Sequence, residues 1–240
     1  MKKLYPIKSL LALLLSVPLS MACLNVMASD GGKARLTKDK PFINVIHEGH
    51  KVKIERIQDP EHVLTGYYAQ TARDCPPFCL QPEIVAPGVT TIGEVELFDF
   101  MENKLNKKAG VLVDARTPEW YERGTIPGSI NVPFFKLQKL ESAEMKQALS
   151  RFGGVERVDV GSITRQYEAL MGQEEGMTEQ WDFTGAKDLV LWCNSPQCGQ
   201  SPRAIKGLLA AGYPPSKIFY YRGGMQMWKL WGLNTVEPGK

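Results

Sequence analysis

The chain predicts an α/β fold: a mainly parallel sheet flanked by helices, with a small β-containing N-terminal extension. Three observations carry this. VLVDAR (111–116) and DLVLWC (188–193) are short apolar runs closed by a charge or a cysteine, the pattern of parallel strands buried on both faces. Helical periodicity lies beside each run. TTIGEVELFDFMENKL spaces Leu97, Phe98, Met101 and Leu105 along one face, and SPRAIKGLLAAG puts Ile205, Leu208 and Leu209 on one stripe. Strands alternating with helices are what a parallel sheet with crossover connections requires.

The first residues predict export. Lys2, Lys3 and Lys8 precede the apolar run Leu10–Leu15, which is too short for a bilayer span of about 20 residues. Val26-Met27-Ala28 offers small residues where a signal peptidase reads, so residues 1–28 are expected to be a signal peptide and the periplasm the destination. Cys23 keeps a lipoprotein open and is the one route to a membrane, although Ser20 stands where such a signal has leucine. Cleavage removes three lysines and no acidic residue, leaving 26 basic against 26 acidic side chains. Nothing in that balance suggests a nucleic-acid partner.

Residues 29–89 form the expected extension. After a polar, Lys-rich leader, FINVIHEGHKVKIERI (42–57) alternates apolar and polar residues around Glu48-Gly49, a hairpin pattern. Residues 63–90 hold CPPFC and several prolines without a clean period, so they read as a connector. The main domain is expected over 90–236. Within it TPEWYERG is a helix-sized step, TIPGSINVPF is extended around the Pro127-Gly128 turn, and 135–187 is an enlarged, partly helical segment. The helix after Cys193 should start with Ser201 as N-cap and Pro202 as its first residue, and stop at Gly212. KIFYYRGGMQMWKLWG supplies a last strand, a Gly-Gly turn and a short helix.

Cysteine placement carries the chemistry. Cys75, Cys79, Cys193 and Cys198 form two close pairs in a compartment that permits disulfides, and close pairs read more often as redox or metal sites than as frameworks. A strand ending at Cys193, a loop, and a helix N-terminus make an anion site, because backbone N–H groups and the helix dipole favour negative charge. A thiolate is such an anion and becomes a better nucleophile there. Cys193 and Cys198 are the candidate catalytic residues, with Gly199, Gln200, Ser201 and Arg203 as candidate substrate-binding residues. Gly199 leaves the backbone unhindered and Arg203 could steer an anion. The histidines, His47, His50 and His62, all lie far upstream, so the chemistry needs none unless the N-terminal region folds back over the loop.

VDARTPEWYERGTIPGSINVPF resembles the first signature of the rhodanese family, and LVLWC…QSPRAIKGLLAAGY with YYRGGMQMW resembles its second half. The resemblance spans about residues 90–234 and is closest to exported bacterial single-domain members with a second loop cysteine. It implies a rhodanese-like sheet and sulfur transfer through a cysteine persulfide. The partners it implies are a small sulfur-containing anion and a thiol acceptor, with no cofactor and no metal. Two departures stand out. Thr125 occupies the place where the family usually has histidine, and the loop from Cys193 to Ser201 is longer than usual. Strand-end placement selects Cys193 as nucleophile, whereas Cys-x4-Arg spacing selects Cys198. Wider loops of this kind occur in cell-cycle phosphatases and arsenate reductases, which keeps another oxyanion substrate open.

Blander readings stand beside these. Asp114 and Arg116 read as a strand-end ion pair, Arg222 as structural or on the pocket rim, and Trp228 and Trp231 as core. Cys75 and Cys79 read as a disulfide pinning the extension, with thiol exchange with the loop, or a metal site shared with His47 and His50, as alternatives. Two other functions remain in view. One is a thiol–disulfide protein with a periplasmic redox partner, and the other is a non-catalytic binding module that uses 135–187.

Overall fold

The computed structural model describes residues 33–157, 178 and 180–239, and from Ala34 onward the chain forms one unit. The expected signal peptide, Cys23 and the middle of the enlarged segment lie outside the described residues. Strands β1 (Phe42–His47) and β2 (His50–Glu55) form an antiparallel hairpin. Both turn residues, Glu48 and Gly49, take positive φ, the geometry that matches a tight turn to strand twist.

The sheet contains β3 (Thr90–Thr91), β4 (Gly110–Asp114), β5 (Ser129–Asn131), β8 (Asp188–Trp192) and β9 (Ile218–Tyr221). Its order is β3-β9-β8-β4-β5 and every pairing is parallel. The central strands β4 and β8 are buried throughout, as their unbroken apolar runs predict. Alternate residues feed two cores. Val111, Val113, Leu189 and Leu191 face helices α3 (Ala143–Arg151) and α4 (Gln200–Ala210). Leu112, Val190 and Trp192 face α1 (Glu94–Phe100), α5 (Gly224–Leu230) and Ile43, Val45 and Ile54 of the hairpin. The extension therefore covers one sheet face as part of the core.

Several elements depart from expectation. Strand β4 ends at Asp114, leaving Arg116 in the loop, before the expected helix-sized step, α2 (Pro118–Glu122). Helix α1 passes into a π-helical turn, Met101–Leu105, before Gly110. Short strands β3, β6 (Val155–Glu156) and β7 (Trp181–Asp182) appear where none is expected, β6 and β7 pairing antiparallel. Helix α4 begins at Gln200 with Gly199 as N-cap rather than at Pro202. Ser201 does not cap it because its hydroxyl is committed to Cys193. Gly212, at φ +86°, terminates this helix as expected. Leu209 of the stripe is half-buried, and Trp231 is 45 % exposed rather than core, while Trp228 is fully buried. Among the described residues no helix is long and apolar enough to cross a membrane.

Candidate active site

Cys193 follows directly on β8, and its loop is held from below by the last helix. The N–H of Met225 donates to the Cys193 carbonyl at 2.9 Å and that of Gln226 to the Asn194 carbonyl at 2.8 Å. This approach demands glycine at position 224. Its φ is +56°, and a Cβ there would lie 2.2 Å from the Cys193 carbonyl oxygen. A turn closed by Cys198 N–H on the Ser195 carbonyl, at 2.9 Å, then brings the chain to the start of α4.

The first N–H groups of a helix have no intrahelical partner. Those of Gln200 and Ser201 face the Cys193 sulfur, and the Ser201 hydroxyl donates to it at 3.0 Å. Burial opposes ionisation of Cys193, but the Cys198 thiol, the Ser201 hydroxyl and the two N–H groups favour it, and the net effect lowers its pKa to about 7. As a thiol, Cys193 instead donates to the Cys198 carbonyl at 3.2 Å. Cys198 moves the other way. Burial and the neighbouring Cys193 thiolate push its pKa well up, and its S–H reaches the Gln200 Oε1 at 3.6 Å. Both cysteines are free, so the loop holds a protonated thiol beside an activated one.

The other candidates fall around this centre. Asp114 and Arg116 form a fully buried bidentate pair, with Nη2–Oδ2 at 2.6 Å and Nε–Oδ1 at 2.8 Å. Arg116 also donates to the Gly124 carbonyl at 2.7 Å and to Asn194 Oδ1 at 3.3 Å, tying the strand end to the cysteine loop. Thr125 completes this group: its hydroxyl donates to Asp114 Oδ2 at 2.9 Å, which gives a buried structural role to the residue that replaces histidine. Arg203 is exposed. Its Nε donates to the Gly199 carbonyl at 3.1 Å and its guanidinium lies 4.1 Å from the Phe134 ring centre, so it borders the loop rather than the sulfur.

Cys75 and Cys79 are joined in a disulfide, leaving no thiolate there to ligate a metal. His47 and His50 face each other across the hairpin, but His47 Nδ1 accepts the Gly128 N–H at 3.2 Å. Among the described residues no cluster suited to a metal ion occurs.

The N-terminal region does fold back, and it brings residues that composition and spacing do not mark. Tyr68 donates its hydroxyl to Asn194 Oδ1 at 3.1 Å, and the Gln81 N–H donates to the Pro196 carbonyl at 2.9 Å. Arg222 donates from Nε and Nη2 to the Gln81 carbonyl, at 3.2 and 2.9 Å, which fixes its rim position. Tyr220 is also unmarked. It pairs with Leu191 in register, so it shares a sheet face with Cys193 two residues further on. Among the described residues its buried hydroxyl makes no hydrogen bond of normal geometry, although Cys193, Cys198 and Ser201 border it.

Fold and site together define an α/β protein whose central strand delivers a thiol into a cradle of backbone amides at a helix start. The model of the rhodanese-like domain matches residues 98–230, and the chain belongs to that family. Solved structures give partial overlaps. A protein of unknown function, possible tyrosine phosphatase, from Rhodopseudomonas palustris is 19 % identical with a TM-score of 0.40; the match covers 63 % of this chain and 88 % of that one. For the human single-domain sulfurtransferase TSTD1 the figures are 21 %, 0.35, 59 % and 96 %. For a rhodanese-related protein from Thermoplasma volcanium they are 20 %, 0.33, 61 % and 97 %. A comparison with curated proteins finds none that matches.

Proposed function

We propose that the protein is a periplasmic sulfurtransferase that moves sulfane sulfur from a thiosulfate-like donor to a thiol or cyanide through a persulfide on Cys193. The observation that carries this is the Cys193 sulfur at the end of β8, facing the Gln200 and Ser201 N–H groups and hydrogen-bonded by the Ser201 hydroxyl. The thiolate attacks the outer sulfur of the donor. The donor's S–S bond breaks, sulfite leaves with the electron pair, and Cys193 keeps the sulfur as a persulfide anion. The same donors that favour the thiolate stabilise that anion, without reorganising during the reaction. An acceptor then attacks the outer sulfur and the Cys193 thiolate returns. Of the two loop cysteines, the lowered pKa and the facing amides favour Cys193 as nucleophile, with Cys198 held protonated beside it.

Turnover of thiosulfate with cyanide tests this. Cys193→Ser should lose at least about a thousandfold in rate, as removal of a covalent nucleophile does. Cys198→Ser should retain most of it, and intact mass after thiosulfate exposure should show one added sulfur atom on the wild type. Equal rates in all three proteins would overturn the proposal. A second reading, thiol–disulfide exchange, is favoured by one observation, the two free thiols side by side. It predicts a reversible Cys193–Cys198 disulfide and no added sulfur.

A further inference from the structure

Cys193 is 2 % exposed and Cys198 9 % exposed, so both residues are largely covered, and a donor's access depends on what lies against their loop. The chain lying against the outer side of their loop is the connector between the hairpin and β3. It touches the loop at three points along its length: Tyr68 on Asn194, the Gln81 backbone on Pro196, and the Gln81 side chain against Gly199. Two further anchors come from below. Gln226 Nε2 donates to the Tyr68 carbonyl at 2.8 Å, and Arg222 grips the Gln81 carbonyl.

Between these anchors sits the disulfide. The Cys75–Cys79 bond closes the CPPFC turn, in which the Phe78 N–H donates to the Asp74 carbonyl at 2.9 Å. The closed turn positions Phe78 against Arg73, whose guanidinium is 5.1 Å from that ring centre and 3.8 Å from that of Tyr67. Tyr67 in turn packs on Trp120 of α2, at 4.6 Å between ring centres. On the other side, the Gln81 side chain donates to the Cys79 carbonyl at 2.9 Å while lying against Gly199. The disulfide therefore ties together the two ends of the cover, the aromatic end on α2 and the Gln81 end on the cysteine loop. Its own position is open, with Cys75 exposed and Cys79 half-buried, whereas the thiols beneath are closed off.

We infer that residues 68–81 form a roof over the cysteine loop, locked by the Cys75–Cys79 disulfide, and that a dithiol reductant opens it by reducing that bond. In the opening step one reductant thiolate attacks a cysteine sulfur and the Cys75–Cys79 bond breaks. The reductant's second thiol resolves the mixed disulfide, so the reductant leaves as its own disulfide and both cysteines take up protons. Two electrons and two protons pass from reductant to roof. Opening deepens the proposed function by making the supply of reduced thiols, which also serve as sulfur acceptors, the signal that admits a donor to Cys193.

The test reads access rather than turnover. Cys193 is alkylated in the folded protein with iodoacetamide and with a bulky polymer-linked maleimide, and its conversion is followed by peptide mass spectrometry. Three samples are compared: wild type with the disulfide intact, wild type reduced by dithiothreitol and desalted, and Cys75→Ser/Cys79→Ser. The reduced and doubly substituted proteins should react about tenfold faster with iodoacetamide, and by a larger factor with the bulky reagent, because a locally opened state has become more populated. Rates within about twofold across all three would overturn the roof. Should the double variant lose its fold by circular dichroism, the reduced wild type, checked for fold by the same measurement, decides alone. It should show the acceleration, and an unchanged rate there would overturn the inference equally. Faster alkylation without thiosulfate turnover would sink sulfur transfer and leave the roof; turnover with identical alkylation rates would do the reverse.

Discussion

The cysteines at 75 and 79 and those at 193 and 198 have nearly the same spacing and opposite states. The first pair lies on an exposed, irregular turn whose Cα atoms come within 4.6 Å, inside the range a disulfide needs, and it is oxidised. The second lies between a strand and a helix that fix its backbone, and its sulfurs are free. There Cys193 collects the Cys198 thiol, the Ser201 hydroxyl and two backbone N–H groups, while at Cys198 burial and the Cys193 charge outweigh its own two N–H groups, so the pair splits: Cys193 falls to about 7 while Cys198 rises. What holds the backbone, rather than the number of intervening residues, decides whether two neighbouring thiols join or divide their labour.

The sharpest way to break that contrast is to disturb the floor of the buried loop. Gly224→Ala forces a Cβ against the Cys193 carbonyl at a positive φ. It should cost roughly 3 kcal/mol of stability, read as a lower urea midpoint. A milder change tests the split itself. In the wild type, alkylation of Cys193 should be slow below pH 7, where the sulfur is a thiol, and reach half its maximum near the lowered pKa of about 7. Ser201→Ala removes one donor from the thiolate, so the midpoint should move up by about one pH unit. An unmoved midpoint would mean that the helix amides and the Cys198 thiol carry the effect. The smallest expected effect belongs to Tyr220→Phe. It removes a buried hydroxyl that borders both sulfurs and, among the described residues, makes no hydrogen bond of normal geometry, so it should leave stability within about 1 kcal/mol. If the hydroxyl turns toward the thiolate, the alkylation midpoint should rise by a fraction of a pH unit; no change would assign Tyr220 to packing alone.

The contrast also marks how far the sequence could be read. The parallel core was legible because β4 and β8 are buried on both faces and leave unbroken apolar runs. So was the hairpin turn at Glu48-Gly49, where the local chain alone demands positive φ. The strands β3, β6 and β7 were not, since two residues carry no period and owe their state to a partner distant in sequence. The start of α4 was misplaced because Ser201, a good cap by type, spends its hydroxyl on a sulfur eight residues back. Trp231 shares helical spacing with Trp228, yet it follows the last residue of α5 and is left at the surface. The cover over the loop escaped detection for another reason: Gln81 bonds to it through its main-chain N–H, which nearly every residue has, and Tyr68 through one hydroxyl bonded to a residue 126 positions away.

The strand order has a consequence for how the molecule is made. Thr90 pairs with Phe219, and Arg56 bridges to Leu233, so the early half of the chain waits for its partners until nearly the last residues have been synthesised. Contacts of such long sequence separation form slowly, because a large loop must close before they return any energy. A nascent chain that stops short of Ile218 leaves one edge of the central strand β8 bare, a ready template for joining another molecule. The final strand is thus the clasp of the whole sheet, and premature termination just before it should give aggregates rather than a smaller folded protein.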